Sequence, residues 1–93
     1  MNNRREAHVG NQLQRLLGID LSRRLREARL IQGLTQDDVA ARSGIGRETI
    51  ASFEHGSRID AIKLVQLLKI LRAYGITPAT FFNWKPERPQ RKR

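Results

Sequence analysis

The chain contains no cysteine. Neither a disulfide nor a thiolate metal site can hold it together, and passage through an oxidising compartment is not suggested. It has no apolar run near the ~20 residues needed to span a bilayer, and its first residues, MNNRREAHVGN, lack the apolar segment of a signal peptide. These absences lead to the expectation of a soluble, cytoplasmic protein without a membrane partner. Acidic residues are scarce as well: nine Asp and Glu stand against eighteen Lys and Arg, a formal net charge of +9. Such an excess favours an anionic polymer, because each phosphate neutralised releases condensed counterions, and nucleic acid is the first candidate. Charge kept only for solubility is the competing explanation. Catalytic groups are missing too, with no paired carboxylates at a plausible site, no phosphate-cradling glycine loop and no metal-ligand spacing between His8 and His55. The chain is therefore not expected to be an enzyme or to hold a cofactor or metal.

What is present is a succession of helical patterns. The 93 residues suffice for one small domain with a modest core, a size at which a partner chain often contributes to stability. Val9, Leu13, Leu16 and Leu17 recur at helical spacing and predict a short amphipathic segment. It either packs on its own domain or meets a second subunit or another protein. Asp20 is placed to cap a helix that buries Leu21, Leu25, Ala28 and Ile31, carries Arg23, Arg24, Arg26 and Arg29 on its other face and stops at Gly33. Asp60 is placed to cap another running to Tyr74, in which Ile62, Leu64, Val65, Leu67, Leu68, Ile70 and Leu71 are too many for one narrow stripe. Some of them are expected to meet a partner chain. After Gly75, Thr77 and Pro78 announce a last short helix through Phe81 and Phe82. Trp84 follows, and then KPERPQRKR, a basic stretch with nothing to bury, reads as a disordered tail. No repeat and no strand signal competes.

The most informative stretch is QDDVAARSGIGRETIASFEHG, from Gln36 to Gly56. Thr35 with Asp38 three residues on forms a capping box, Val39 and Ala40 point inward, and Gly44 ends the helix. A second helix follows, anchored by Ile45, Ile50 and Phe53 and closed by Gly56. Arg47, Glu48, Thr49 and Ser52 are left facing outward. Two short helices joined by a tight turn have the layout of a helix-turn-helix.

These residues resemble the phage-repressor-like Cro/C1, or Xre, helix-turn-helix family from about Leu21 to Phe82. Gln36, Ala40 and Gly44 match its opening Gln, its small residue four places later and its turn Gly, and IASFEHG matches its usual ending. Ser43 departs from it, since an apolar residue usually precedes the turn, and a hydroxyl there weakens the packing. The resemblance implies an all-α, five-helix lambda-repressor-like domain over 20–83, with an N-terminal extension over 1–19 and a basic tail over 84–93. It also implies a sequence-specific, double-stranded-DNA-binding transcriptional regulator.

A recognition helix enters the major groove with its N-terminal residues at the base edges, where all four base pairs differ in donors and acceptors. By resemblance the base-contacting positions fall on Gly46, Arg47, Glu48 and Ser52, with Thr49 at the backbone. Arg47 is the first choice, because a guanidinium can donate two bonds to guanine, while Glu48 can accept from cytosine or orient Arg47. The family position of Gln36 contacts phosphate through its side chain and the helix amides. Arg58 and Arg42 are phosphate candidates by charge and position. One helix reads few base pairs, so a homodimer with half-sites about 34 Å apart is expected. The surplus of apolar residues before Tyr74, with Phe81, Phe82 and Trp84, either makes that interface or closes the monomer core. The alternative function is an antitoxin that binds a toxin partner and its own operator, which GSRIDAIKLVQLLKILRAYGI supports by a resemblance to HipB-type antitoxins.

Overall fold

The computed structural model describes residues 9–83, so the expectations for His8, Trp84 and the basic tail lie outside the described residues. Within them the chain forms six α-helices, one 3₁₀ turn and no strand. The helices are α1 (Gly10–Leu17), α2 (Leu21–Ile31), α3 (Gln36–Ser43), α4 (Arg47–His55), α5 (Leu64–Tyr74) and α6 (Pro78–Asn83), with the 3₁₀ turn over Ile59–Ala61 between α4 and α5. The all-α expectation holds, with α2 to α6 as the five-helix unit and α1 as an added element.

Local chemistry sets most boundaries. Asp20 accepts from the Arg23 N–H at 3.2 Å and starts α2. Thr35 and Asp38 form the reciprocal capping box of α3, each side chain accepting from the other's backbone N–H at 3.0 and 2.9 Å. Thr77 accepts from the Thr80 N–H at 3.0 Å ahead of α6. Gly44 ends α3 at φ 78°, a left-handed conformation that L side chains adopt only with strain.

Leu21, Leu25, Val39, Ile50, Ile62, Leu67, Ile70, Leu71 and Phe81 form the fully enclosed centre, closed by Phe53, Ile59 and Tyr74. Each such side chain removed from water contributes about 1.5–3 kcal/mol. This common core, to which α2, α3, α4 and α5 all contribute, fixes α3 and α4 relative to one another and aims the outer side of α4 at solvent.

Two expectations are corrected and two others are completed. Ile31 is 63% exposed, whereas Arg29 is buried. With about 100° per residue, Arg29 falls within the arc of buried Leu21, Ser22, Leu25 and Ala28, between Leu25 and Ser22, and Ile31 falls outside it. Asp60 does not cap the helix to Tyr74. Burial of both Ile59 and Ile62, three residues apart, folds this stretch into the 3₁₀ turn, and α5 begins only at Leu64, with the Lys63 N–H held by Gln66 Oε1 at 2.9 Å. Ser43 adds a polar contact to the turn, its Oγ accepting from the Ile45 N–H at 3.1 Å. Of the two alternatives left open for the aromatic cluster, Phe81 takes the monomer core, edge-on to Phe82 at 5.0 Å, with no surface left for a second chain.

The N-terminal segment packs on its own domain. The Val9 N–H donates to the Ile62 carbonyl at 3.0 Å, Gln14 Oε1 accepts from the Leu21 N–H at 3.0 Å, and Gly10 lies so close to Ile59 that a Cβ has no room.

Candidate nucleic-acid interface

The outer surface of the α3–turn–α4 unit gathers most of the residues singled out from the sequence. Gly46 is the N-cap of α4, at φ −59°, with only Thr49 Oγ1 near the place of a Cβ, at 3.9 Å. The fold itself does not require glycine there; its effect is to leave the backbone at this end of the helix bare. Arg47 and Glu48 follow in the first turn, both exposed, and Thr49 and Ser52 are half-buried on the sides. Glu48 also lies where the positive end of the helix favours a carboxylate.

Arg47 forms an ion pair at the surface. Its Nε lies 3.1 Å from Asp37 Oδ1, so a residue in the first turn of α3 faces one in the first turn of α4. Asp38, next to it, is occupied with the cap, and the Thr35 N–H holds its carboxyl below the usual carboxylate range.

Gln36 opens α3 and is half-buried, with its Nε2 donating to Glu54 Oε1 at 3.2 Å. Glu54 is in turn gripped by Arg29, Nε to Oε2 at 2.8 Å and Nη2 to Oε1 at 2.9 Å, while Arg29 Nη1 donates to the Leu34 carbonyl at 2.8 Å. The Glu54 hydrogen bonds raise the Arg29 pKa above its ordinary value. A buried charged network thus sets the angle of Gln36 and ties α2, the loop before α3, and α4 together. Sequence reasoning missed it, although the signal was there: Arg29 continues the i, i+4 row of Leu21 and Leu25, and Glu54 lies four residues after buried Ile50.

Arg58 is exposed where the chain leaves α4 for the 3₁₀ turn. Arg42 is not brought to this surface in the same way. It sits near the far end of α3 from Gln36, and its Nη1 donates to the Ala73 carbonyl at 3.1 Å beside Lys69 and Arg72. Arg26 was read only as a residue of an outer face. It lines one shallow groove with Gln36, Ser52, His55 and Ser57, which adds a cation between α2 and α4. Among the described residues no three His, Asp or Glu side chains gather as a metal site, and no helix is long and apolar enough to cross a membrane.

Comparison with known proteins agrees with this geometry. The sequence profile of the helix-turn-helix family matches residues 25–81, more than half of the chain. The HTH-type transcriptional regulator PuuR of Escherichia coli is 36% identical over 72 residues, which is 77% of this chain and 37% of that protein. The chain therefore spans little more than a third of the length of that relative. An uncharacterized HTH-type transcriptional regulator, y4dJ of Sinorhizobium fredii, is 30% identical over 77 residues, 83% of this chain and 92% of that protein. Among solved structures, the restriction-modification controller protein C.AhdI from Aeromonas hydrophila superposes with a TM-score of 0.60 at 36% identity, covering 66% of this chain and 89% of that one.

Proposed function

The chain belongs to the Cro/C1-type helix-turn-helix family, and from that membership we propose that it is a DNA-binding transcriptional regulator, a dimeric repressor acting in the cytoplasm. The observation that carries this reading is the bare first turn of α4, where Gly46, Arg47 and Glu48 face solvent on a helix whose opposite side is locked into the core by Ile50 and Phe53. A rigid helix end of this kind fits the major groove, whose width of about 12 Å admits one helix.

In this reading Gly46, Arg47, Glu48 and Ser52 meet base edges, with Arg47 donating to a guanine. Gln36, Thr49 and Arg58 hold phosphates, and the free N–H groups at the start of α3 add to the Gln36 contact. Arg42 has one Nη on the Ala73 carbonyl and remains exposed as a further phosphate candidate at the far end of α3, and Arg26 extends the contacts along the groove. Dimerisation falls to the row Leu64, Val65 and Leu68 on α5, which are 49%, 55% and 41% exposed. Three large aliphatic side chains on one outward face are what an isologous contact would cover.

Fluorescence anisotropy of the purified protein with the DNA upstream of its own gene, against a scrambled duplex at near-physiological salt, tests the proposal. A preference of ~10³ or more is expected of a specific autoregulator. Equal and steeply salt-dependent binding to both duplexes would leave only the electrostatic contribution and would remove the autoregulator reading.

A further inference from the structure

Asp37 stands where a carboxylate is unfavourable for DNA binding. Its side chain is 80% exposed, and it touches Arg47 at the edge of the surface assigned to DNA, where it repels phosphates. The fold does not need it for capping, because Thr35 and Asp38 already satisfy the start of α3. As an exposed ion pair it adds little stability. The pairing geometry gives it another use. Asp37 approaches Arg47 at Nε, and among the described residues the two Nη groups of Arg47 make no hydrogen bond. Those two groups form the end of the fork that can donate together to guanine O6 and N7.

We propose that Asp37 is a positioning residue that sets base specificity by holding Arg47 at its Nε edge and presenting its Nη edge to guanine. The proposal rests on the reading of Arg47 as a base-contacting residue. Two effects follow from the one carboxylate. It restrains a long side chain that would otherwise lose its rotamer freedom on binding, which favours the correct site. It also repels phosphate in every register where Arg47 finds no guanine, which disfavours incorrect sites. Removing the charge therefore moves affinity and specificity in opposite directions. A carboxylate present only for the helix dipole would change stability and leave base preference alone.

The test uses the full chain as wild type, Asp37→Asn, Asp37→Glu and Arg47→Ala. Each is selected against a duplex library of randomised sequence, and each is titrated by anisotropy against one fixed duplex of arbitrary sequence, with thermal unfolding measured in parallel. Arg47→Ala is expected to abolish a guanine preference of about tenfold or more at one position of the selected motif. Asp37→Asn is expected to lower the preference at that same position by about 2–5-fold, while binding the arbitrary duplex more tightly than wild type. Asp37→Glu, which keeps the charge, is expected to regain most of the preference. If Arg47→Ala loses the guanine and Asp37→Asn does not, Asp37 has no positioning role and the base reading by Arg47 stands. If Arg47→Ala leaves every position unchanged, the base reading itself fails and the proposal fails with it. A uniform loss of binding by Asp37→Asn together with a lower melting temperature would assign the residue to the fold alone.

Discussion

Arg29 and Glu54 form a two-pronged pair inside the protein, at 2.8 and 2.9 Å, their side chains 9% and 3% exposed and twenty-five residues apart in sequence. The pair joins α2 to the recognition helix α4 and passes its orientation to Gln36 through the same carboxylate. Removing one partner strands the other charge away from water. Glu54→Ala is expected to lower the unfolding free energy by about 3–5 kcal/mol, a large share of the ~5–15 kcal/mol a domain typically has. Replacing both with apolar residues of similar volume should cost far less. Urea unfolding of the two variants would show the contrast, and equal losses would mean that the pair's own attraction, not the stranded charge, dominates.

Tyr74 couples stability to alkaline pH. Its hydroxyl donates to the Leu25 carbonyl at 2.9 Å, and burial, assisted by the Glu54 charge and opposed by Arg29, pushes its pKa strongly upward. An unfolded tyrosine ionises near 10. Above that pH the unfolded state releases a proton that the folded state keeps, so stability present below about pH 10 is lost as pH rises, by about 1.4 kcal/mol per unit. Tyr74→Phe should start about 1 kcal/mol lower at neutral pH and lack this share of the decline. Parallel slopes for the two proteins between pH 9 and 11 would contradict the assignment.

The docking of α1 depends on the absence of a side chain at Gly10. A Cβ there would overlap the Ile59 carbonyl and crowd Ile62 Cγ2, at 2.9 Å. Gly10→Ala should cost about 1–3 kcal/mol. It should also break the Val9 N–H bond to Ile62, visible as faster hydrogen exchange at Val9 with the α5 amides still protected.

Val65 tests self-association without touching the core. It is 55% exposed, so Val65→Glu should leave the monomer folded, with any fall in melting temperature that of lost association. If α5 carries the dimer, light scattering should give about twice 10.7 kDa for wild type and 10.7 kDa for the variant. A variant that remains a dimer would move the interface away from α5. A second protein that co-purifies in equal amount with wild type and is lost with Val65→Glu would favour the antitoxin reading.

Much of the fold was legible in the sequence because its signals are short-range. Asp20, Thr35 and Thr77 cap the helices where their side chains can reach an N–H three residues away, and Gly44 closes the turn through its own φ. Arg47 and Glu48 were readable as outward by the same logic, as what remains once Ile50 and Phe53 are assigned inward, whereas Thr49 and Ser52, placed with them, are half-buried. Residues whose roles depend on distant partners were misread. Arg29 was counted with the solvated arginines because a charge is ordinarily exposed, and its burial depends on Glu54 on another helix and on the Leu34 carbonyl. Asp60 resembled a cap until the burial of Ile59 and Ile62 forced a tighter turn.

The sequence by itself therefore determined the order of the helices, the caps of α2, α3 and α6, and the helix-turn-helix with the exposed first turn of α4, since all of these follow from interactions within one or two turns of chain. Only the tertiary structure decided that Arg29, Glu54 and Gln36 share one network, that Asp37 reaches Arg47 and that α1 lies against the 3₁₀ turn. Such contacts join residues on separate elements, and their distances depend on how a common core packs rather than on any local spacing.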